Sequence, residues 1–379
     1  MGAHLTAVRP FALAARLTMA ARNPMNILLT GGTGYIGSHT AVALAEAGHR
    51  VVLFDNFCNS LPDVAQRLHT LTGQAMPLVE GDVRHTGLLT HTLQAHRIDA
   101  VIHFAGLKAV GESVAQPLSY YANNVQGSIS LLQAMQAAAV NTLVFSSSAT
   151  VYGNPKYLPL DESHPTAATN PYGRSKLHIE EMLRDQCRAD PAWRVLSLRY
   201  FNPVGAHSSG LIGDNPRGVP NNLMPYLSRV AAGELPHVNV FGNDYPTPDG
   251  TGVRDYIHVA DLAAGHLAAL AHLAQHPGFD AINLGTGQGY SVLQMIEAVA
   301  AASGRPVPHR IVPRRAGDIA ACYAAADKAA RLLGWRATCT LQDMCRDTWH
   351  WQTRGARCEK PGSFPNLPAS NRQHSPQIP

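Results

Sequence analysis

The chain has 379 residues, 45% hydrophobic and 15% charged, with a formal net charge of +4, enough for one large or two modest domains with a real core. No Lys/Arg run or basic helix stands out, and no uncharged apolar stretch reaches the ~18 residues that span a bilayer, which excludes nucleic acid and membrane as partners. The 6 cysteines and 19 histidines show neither C-x-x-C nor ligand spacing, which argues for reduced thiols in a cytoplasmic protein and against a disulfide frame or a metal site.

Residues 1–25 precede the first strand and are expected to be a disordered extension. Asn26-Ile-Leu-Leu-Thr30 is a short apolar run that ends in Gly31-Gly-Thr-Gly34-Tyr35-Ile36-Gly37, and the helical stretch 36–47 that follows stops at Gly48. A buried parallel strand, a glycine turn and a helix N-terminus form an anion site with N–H groups aimed at a pyrophosphate. Glycine allows the tight turn and the close approach of backbone to ligand. The second strand, 51–55, ends in Asp55. About 20 residues past such a turn, a carboxylate accepts hydrogen bonds from an adenosine ribose and repels a 2′-phosphate, so NAD is favoured over NADP.

Short apolar runs and helical patterns then alternate: helix near 85–96, strand 100–104, helix near 117–138, strand 142–147, helix from 172 to about 188, strand 194–200. This rhythm predicts an α/β fold, a Rossmann-type doubly wound parallel sheet with helices on both faces. It sets an NAD-binding domain at 26–203. From 204 onward Pro, Gly and loops become more frequent, which predicts a smaller α/β substrate-binding domain over 204–353. Its amphipathic helix near 259–274 is expected to pack back on the larger domain. The Pro-rich tail, 354–379, is expected to be disordered.

Between strand 142–147 and strand 194–200 lies a proton-handling set, Ser148 followed by Tyr172-Gly-Arg-Ser-Lys176. Tyr-x-x-x-Lys puts a phenol and an ammonium one helical turn apart on the same face. A nearby positive charge favours phenolate, so Tyr172 is expected to titrate closer to neutral pH than its unperturbed ~10. Tyr172 then serves as general base toward a substrate hydroxyl, with Ser148 as its hydrogen-bond partner.

Thr-Gly-Gly-Thr-Gly-Tyr-Ile-Gly with a later Tyr-x-x-x-Lys resembles the extended short-chain dehydrogenase/reductase superfamily. Phe104-Ala-Gly-Leu-Lys108, Arg199-Tyr-Phe-Asn202-Pro-Val-Gly-Ala, Asn221-Asn-Leu-Met-Pro225, Phe241-Gly-Asn-Asp-Tyr-Pro and Gly252-Val-Arg254-Asp-Tyr narrow the match. From about Asn26 to Gln352 the chain resembles the UDP-glucose 4-epimerase (UDP-galactose 4-epimerase) family. The resemblance implies reversible inversion at C4 of a UDP-hexose through a 4-keto intermediate with tightly held NAD, in a homodimer. It assigns catalysis to Tyr172, Lys176 and Ser148.

The resemblance also implies cofactor contacts from Gly31, Gly34, Tyr35, Ile36 and Gly37, and from Asp55, Asn56, Phe57, Cys58, Asn59 and Ser60. Further ones fall to Asp82, Val83, Phe104, Ala105, Gly106, Leu107, Lys108, Asn123, Ser148, Tyr172, Lys176 and Phe201. Substrate contacts are implied for Ser148, Ala149, Thr150, Tyr172, Asn202, Asn221, Asn222 and Leu223. Asn239, Val240, Phe241, Arg254, Arg315, Asp318 and Cys322 complete that set. Forked guanidinium donors suit diphosphate oxygens. Some members carry a tyrosine against the sugar where this chain has Cys322; the smaller residue implies that UDP-N-acetylglucosamine and UDP-N-acetylgalactosamine are also accepted. A nucleotide-sugar 4,6-dehydratase needs an Asp-Glu pair directly after the serine, where Ala149 and Thr150 stand. A non-catalytic NAD-binding protein typically lacks Tyr or Lys of the pair, and both are present.

Overall fold

The computed structural model of the protein describes residues 24–355, apart from 217–219 and 316; the disorder expected for the two ends falls outside the described residues, save for a few at the inner edges. Six apolar runs form the strands β1 (Asn26–Thr30), β2 (Arg50–Asp55), β3 (Leu78–Glu80), β4 (Ala100–His103), β5 (Thr142–Ser148) and β6 (Arg194–Tyr200). Successive side chains alternate between two cores. Ile27, Leu29 and Leu53 join one of them with the helices Tyr35–Glu46, Val64–Thr72 and Val259–Leu273. Leu28, Val52 and Phe54 join the other with the helices Thr86–Ala95, Gln126–Ala137 and Pro171–Ala189. Both faces are covered, so the strands read as near-continuous hydrophobic runs.

A strand from far down the chain completes this sheet. Residues Gly278–Leu284, numbered β10, run parallel to β6 from Gly278↔Arg194 to Leu284↔Tyr200. The order is β10-β6-β5-β4-β1-β2-β3, every pairing parallel. The sheet therefore extends beyond the 26–203 segment, because β10 lies past residue 204. Strand order reverses between β1 and β4, and ligands of open α/β sheets bind at such a point, outside the carboxyl ends of the strands.

The helix expected near 117–138 is broken. Pro117–Tyr120 is a short helix, Tyr121–Val125 is a wider π-type turn, and Gln126–Ala137 resumes the α-helix. Such bulges often mark functional positions; this one carries Asn123 and Asn124.

The smaller lobe has two sheets. One joins β7 (Asn202–Val204), β9 (Val253–His258), β11 (Gly289–Ser291) and β13 (Ala321–Cys322), and the other pairs β8 (Val238–Phe241) with β12 (His309–Val312). The helices Leu223–Ala231, Val292–Ser303 and Leu341–Arg354 close on a separate core that includes Met224, Leu227, Val240, Met295 and Met344. A reciprocal cap opens the last helix: the Thr340 hydroxyl accepts from Asp343 N–H, and the Asp343 carboxylate accepts from Thr340 N–H.

Candidate active site

The cradle at the end of β1 is shaped by backbone proximity. A Cβ on Gly31, whose φ is +69°, would stand 2.8 Å from Ala105 N in the loop after β4. A Cβ on Gly37 would stand 2.3 Å from Gly31 O. The helix Tyr35–Glu46 starts at Gly34 with no side-chain cap and no acid in its first turn, which leaves its positive end to an anionic ligand. Asp55 is buried at the end of β2, where it accepts from Thr33 N–H (3.1 Å), Phe57 N–H (2.9 Å) and the Ser60 hydroxyl (2.9 Å). Asn56 donates to Asp82 at 3.2 Å. Arg84 holds the Asp82 carboxyl well below the usual carboxylate range.

The loop after β4 is clamped by Asn124, which sequence reasoning passed over in favour of its neighbour Asn123. Asn124 accepts from Leu107 N–H at 2.8 Å and donates to Leu107 O at 3.0 Å and to the Ser175 hydroxyl at 3.1 Å. Beneath it, Ser128 donates to Asn124 O at 2.7 Å, so its oxygen accepts from His103 Nε2–H at 3.1 Å, and Thr30 donates to His103 Nδ1 at 2.6 Å. That chain ties the ends of β1 and β4 together. Burial drives the His103 imidazole down to about 3, so it stays neutral.

Ser148 ends β5 and caps the short turn Ala149–Val151, accepting from Thr150 N–H at 3.2 Å and the Thr150 hydroxyl at 3.0 Å. The helix Pro171–Ala189 begins with Asn170, whose side chain accepts from Gly173 N–H at 2.9 Å, and with Pro171 in its first turn. This start sets Tyr172 in the opening turn and Lys176 one turn later. Burial raises the Tyr172 phenol above its ordinary value and outweighs the lowering influence of Ser148. The expectation that Lys176 brings Tyr172 toward neutrality fails in this state of the chain. The Lys176 ammonium donates to Ser146 O at 2.7 Å and lies 6.0 Å from the Tyr172 ring centroid, spending its charge on a strand carbonyl. Burial lowers Lys176 itself to about 8.

Beneath this pair runs a buried network with no local signature in the chain. Arg199 on β6 makes a forked pair with Glu180 at 2.6 Å and 3.0 Å, and Ser147 donates to Glu180 at 2.6 Å. Arg199 also donates to the Tyr152 hydroxyl at 3.0 Å, which donates to Asn283 on β10 at 2.6 Å. The catalytic helix, the ends of β5 and β6, and the distant β10 are thereby fixed to one another.

The substrate-side residues gather less tightly. The Arg315 guanidinium lies 4.4 Å from the Phe241 ring centroid and its Nε donates to Asp318 at 3.0 Å. Cys322 stands opposite Arg254 in the β13–β9 register. Burial raises the Cys322 thiol to about 11. Asp255, unassigned from sequence, receives Thr286 N–H, Gly287 N–H and Ala324 N–H, fixing the loops beside Arg254 and Cys322. Asn202 donates to Asp255 O at 2.9 Å. Asn221 and Asn222 are exposed before the helix that Leu223 opens. Asn239 accepts from Arg310 at 2.8 Å. The side chains of Val240 and Phe201 are buried in cores, so only their backbone faces are available to a ligand. Lys108 and Cys58 are exposed.

Residues 27–285 match the NAD dependent epimerase/dehydratase family. The chain is 58% identical over 333 residues to the UDP-glucose 4-epimerase of Mus musculus, covering 86% of this chain and 96% of that one. It is similar to the crystal structure of UDP-glucose-4-epimerase from Stenotrophomonas maltophila with bound NAD and formylated UDP-arabinopyranose, at 54% identity and a TM-score of 0.87, covering 88% and 99% of the two chains. The enzyme from Bifidobacterium longum in complex with NAD+ and UDP matches at 53% identity and a TM-score of 0.85, covering 87% and 99%. The chain therefore belongs to the NAD dependent epimerase/dehydratase family and, within it, to the UDP-glucose 4-epimerases, and its cofactor is NAD.

Proposed function

We propose that Tyr172, Ser148 and Lys176 carry out reversible inversion at C4 of a UDP-hexose, interconverting UDP-glucose and UDP-galactose. The observation that carries this reading is Ser148 at the carboxyl end of β5 with Tyr172 and Lys176 in the opening turns of the helix Pro171–Ala189, beside the glycine cradle. NAD, when bound, supplies reversible two-electron oxidation at C4 and a positive ring charge that favours phenolate over phenol. Tyr172 takes the 4-hydroxyl proton and later gives it back. Ser148 holds the reacting oxygen, and Lys176, one helical turn past Tyr172, would hold the nicotinamide ribose. Phe241, Arg254, Arg315 and Asp318 anchor the uridine diphosphate, so the 4-keto sugar stays tethered while it turns its other face. Ala149 and Thr150 after Ser148 leave no acid–base pair for the dehydratase reaction.

The test is incubation with UDP-galactose without added NAD, followed by separation of the epimers. The wild type is expected to reach a mixture, and Tyr172→Phe to lose about 10²–10⁴-fold in rate while keeping its NAD. Unaltered turnover in Tyr172→Phe would overturn the assignment.

Cys322 beside Arg254 leaves more room at sugar C2 than a tyrosine does, which supports acceptance of UDP-N-acetylhexosamines. Cys322→Tyr is expected to depress UDP-N-acetylglucosamine turnover and spare UDP-galactose; equal turnover of the N-acetyl sugar by both proteins would reject it. A homodimer is part of the same reading. Val110 (42% exposed), Val114 (64%) and Leu118 (80%) are large apolar side chains at successive i, i+4 positions on the short helices that flank Pro171–Ala189. Galactose metabolism in the cytoplasm is the setting we infer; no helix among the described residues is long and apolar enough to cross a membrane.

A further inference from the structure

We propose that residues 205–215 are a strap that keeps NAD from leaving, and that Arg67 and Trp351 are the positioning residues that fasten it. The inference rests on NAD lying in the glycine cradle. An open crevice is lined by Gly34, Tyr35 and Ser60 and by Ile212, Gly213 and Asp214 of the strap. A cofactor held in the cradle would have its phosphate and ribose end beside the strap.

The strap is a closed loop. Ala206 bridges Gly213, and His207 N–H donates to Ile212 O at 3.1 Å. Its start is pinned from the cradle, where the Tyr35 hydroxyl donates to Gly205 O at 2.7 Å. Its far half is pinned from two distant helices. Arg67, on Val64–Thr72, donates to Leu211 O at 3.2 Å while its other edge forks onto Asp63 at 2.8 Å and 3.1 Å. Trp351, on Leu341–Arg354, donates from Nε1 to Asp214 O at 3.2 Å.

The Trp351 ring also presses flat against the strap. A Cβ added to Gly213 would stand 2.5 Å from its Cγ. The Arg67 guanidinium lies 5.6 Å from that ring's centroid, which joins the two fastenings into one unit. One fastening comes from the dinucleotide-binding part and the other from the smaller lobe, so opening the strap means parting the two lobes at this edge. Tyr172, Ser148 and Lys176 make none of these contacts.

The experiment uses purified holoenzyme. Arg67→Met removes the guanidinium and keeps the stem; Trp351→Phe keeps a ring and removes the donor. Bound NAD per chain is measured after gel filtration, and its departure is followed in the presence of an NAD-consuming enzyme. The paired variant is expected to lose at least half its NAD and to release it at least tenfold faster. Added NAD is expected to restore its epimerisation rate, whereas Arg67→Lys, still able to reach Leu211 O, retains more NAD than Arg67→Met. Wild-type NAD content and release in variants with an unchanged cooperative unfolding transition would overturn the strap. So would a rate that saturating NAD fails to restore. If the paired variant does not fold, Arg67→Met alone decides by the same two readings. Failure of the epimerase reading itself would show differently, as a wild type that holds NAD and leaves UDP-galactose unchanged.

Discussion

Lys176 is 4% exposed and its ammonium rests on Ser146 O. Burial brings it down to about 8, whereas the unfolded chain titrates near ~10.4. Between those two values the unfolded state binds more protons than the native state, so stability rises with pH there; below pH 8 both states are protonated and the slope vanishes. Urea midpoints from pH 7 to 10.5 are expected to climb more steeply for the wild type than for Lys176→Met, and parallel curves would refute this. The identity of this lysine was legible from its spacing to Tyr172. Its direction was not, because Ser146 O belongs to a strand thirty positions earlier that no local pattern connects to the helix. Asn124 was missed for the same reason: beside Asn123 it looks equivalent, and only the fold shows which of the two reaches Leu107.

The glycine turn was the most legible element. Strand, turn, helix and second strand follow from period and composition, and the structure supplies the differing tolerance of each glycine. A Cβ at Gly37 meets Gly31 O at 2.3 Å, whereas one at Gly34 stands 3.2 Å from the same atom. Gly37→Ala is therefore expected to cost about 1–3 kcal/mol and to weaken NAD retention, with Gly34→Ala costing less stability; paired thermal unfolding curves check the ranking. The break at Tyr121–Val125 left no mark in the sequence, since Asn124 is drawn into the loop after β4 by partners far along the chain.

The three exposed apolar residues Val110, Val114 and Leu118 belong to the scale of the whole molecule. Leu118→Glu is expected to shift a dimer toward monomer in sedimentation velocity, with the single chain still folded; an unchanged sedimentation coefficient would remove this face from the contact. The change in Pro and Gly content after 204 suggests a second lobe. The interlocking of the lobes was not legible, because β10 pairs with β6 across an intervening lobe, and no window of sequence contains both.

The placement of β10 has a consequence for biogenesis. A nascent chain emerging from the ribosome can align β1 to β6 early, yet β6 waits with an unpaired edge while the residues up to Leu284 are translated. Asn283, the partner of Tyr152, arrives with that last strand. The platform under Ser148 and Tyr172 is thus completed late in synthesis, and truncated translation products stopping short of β10 will present an open sheet border, the kind of surface that chaperones capture and that otherwise seeds aggregation.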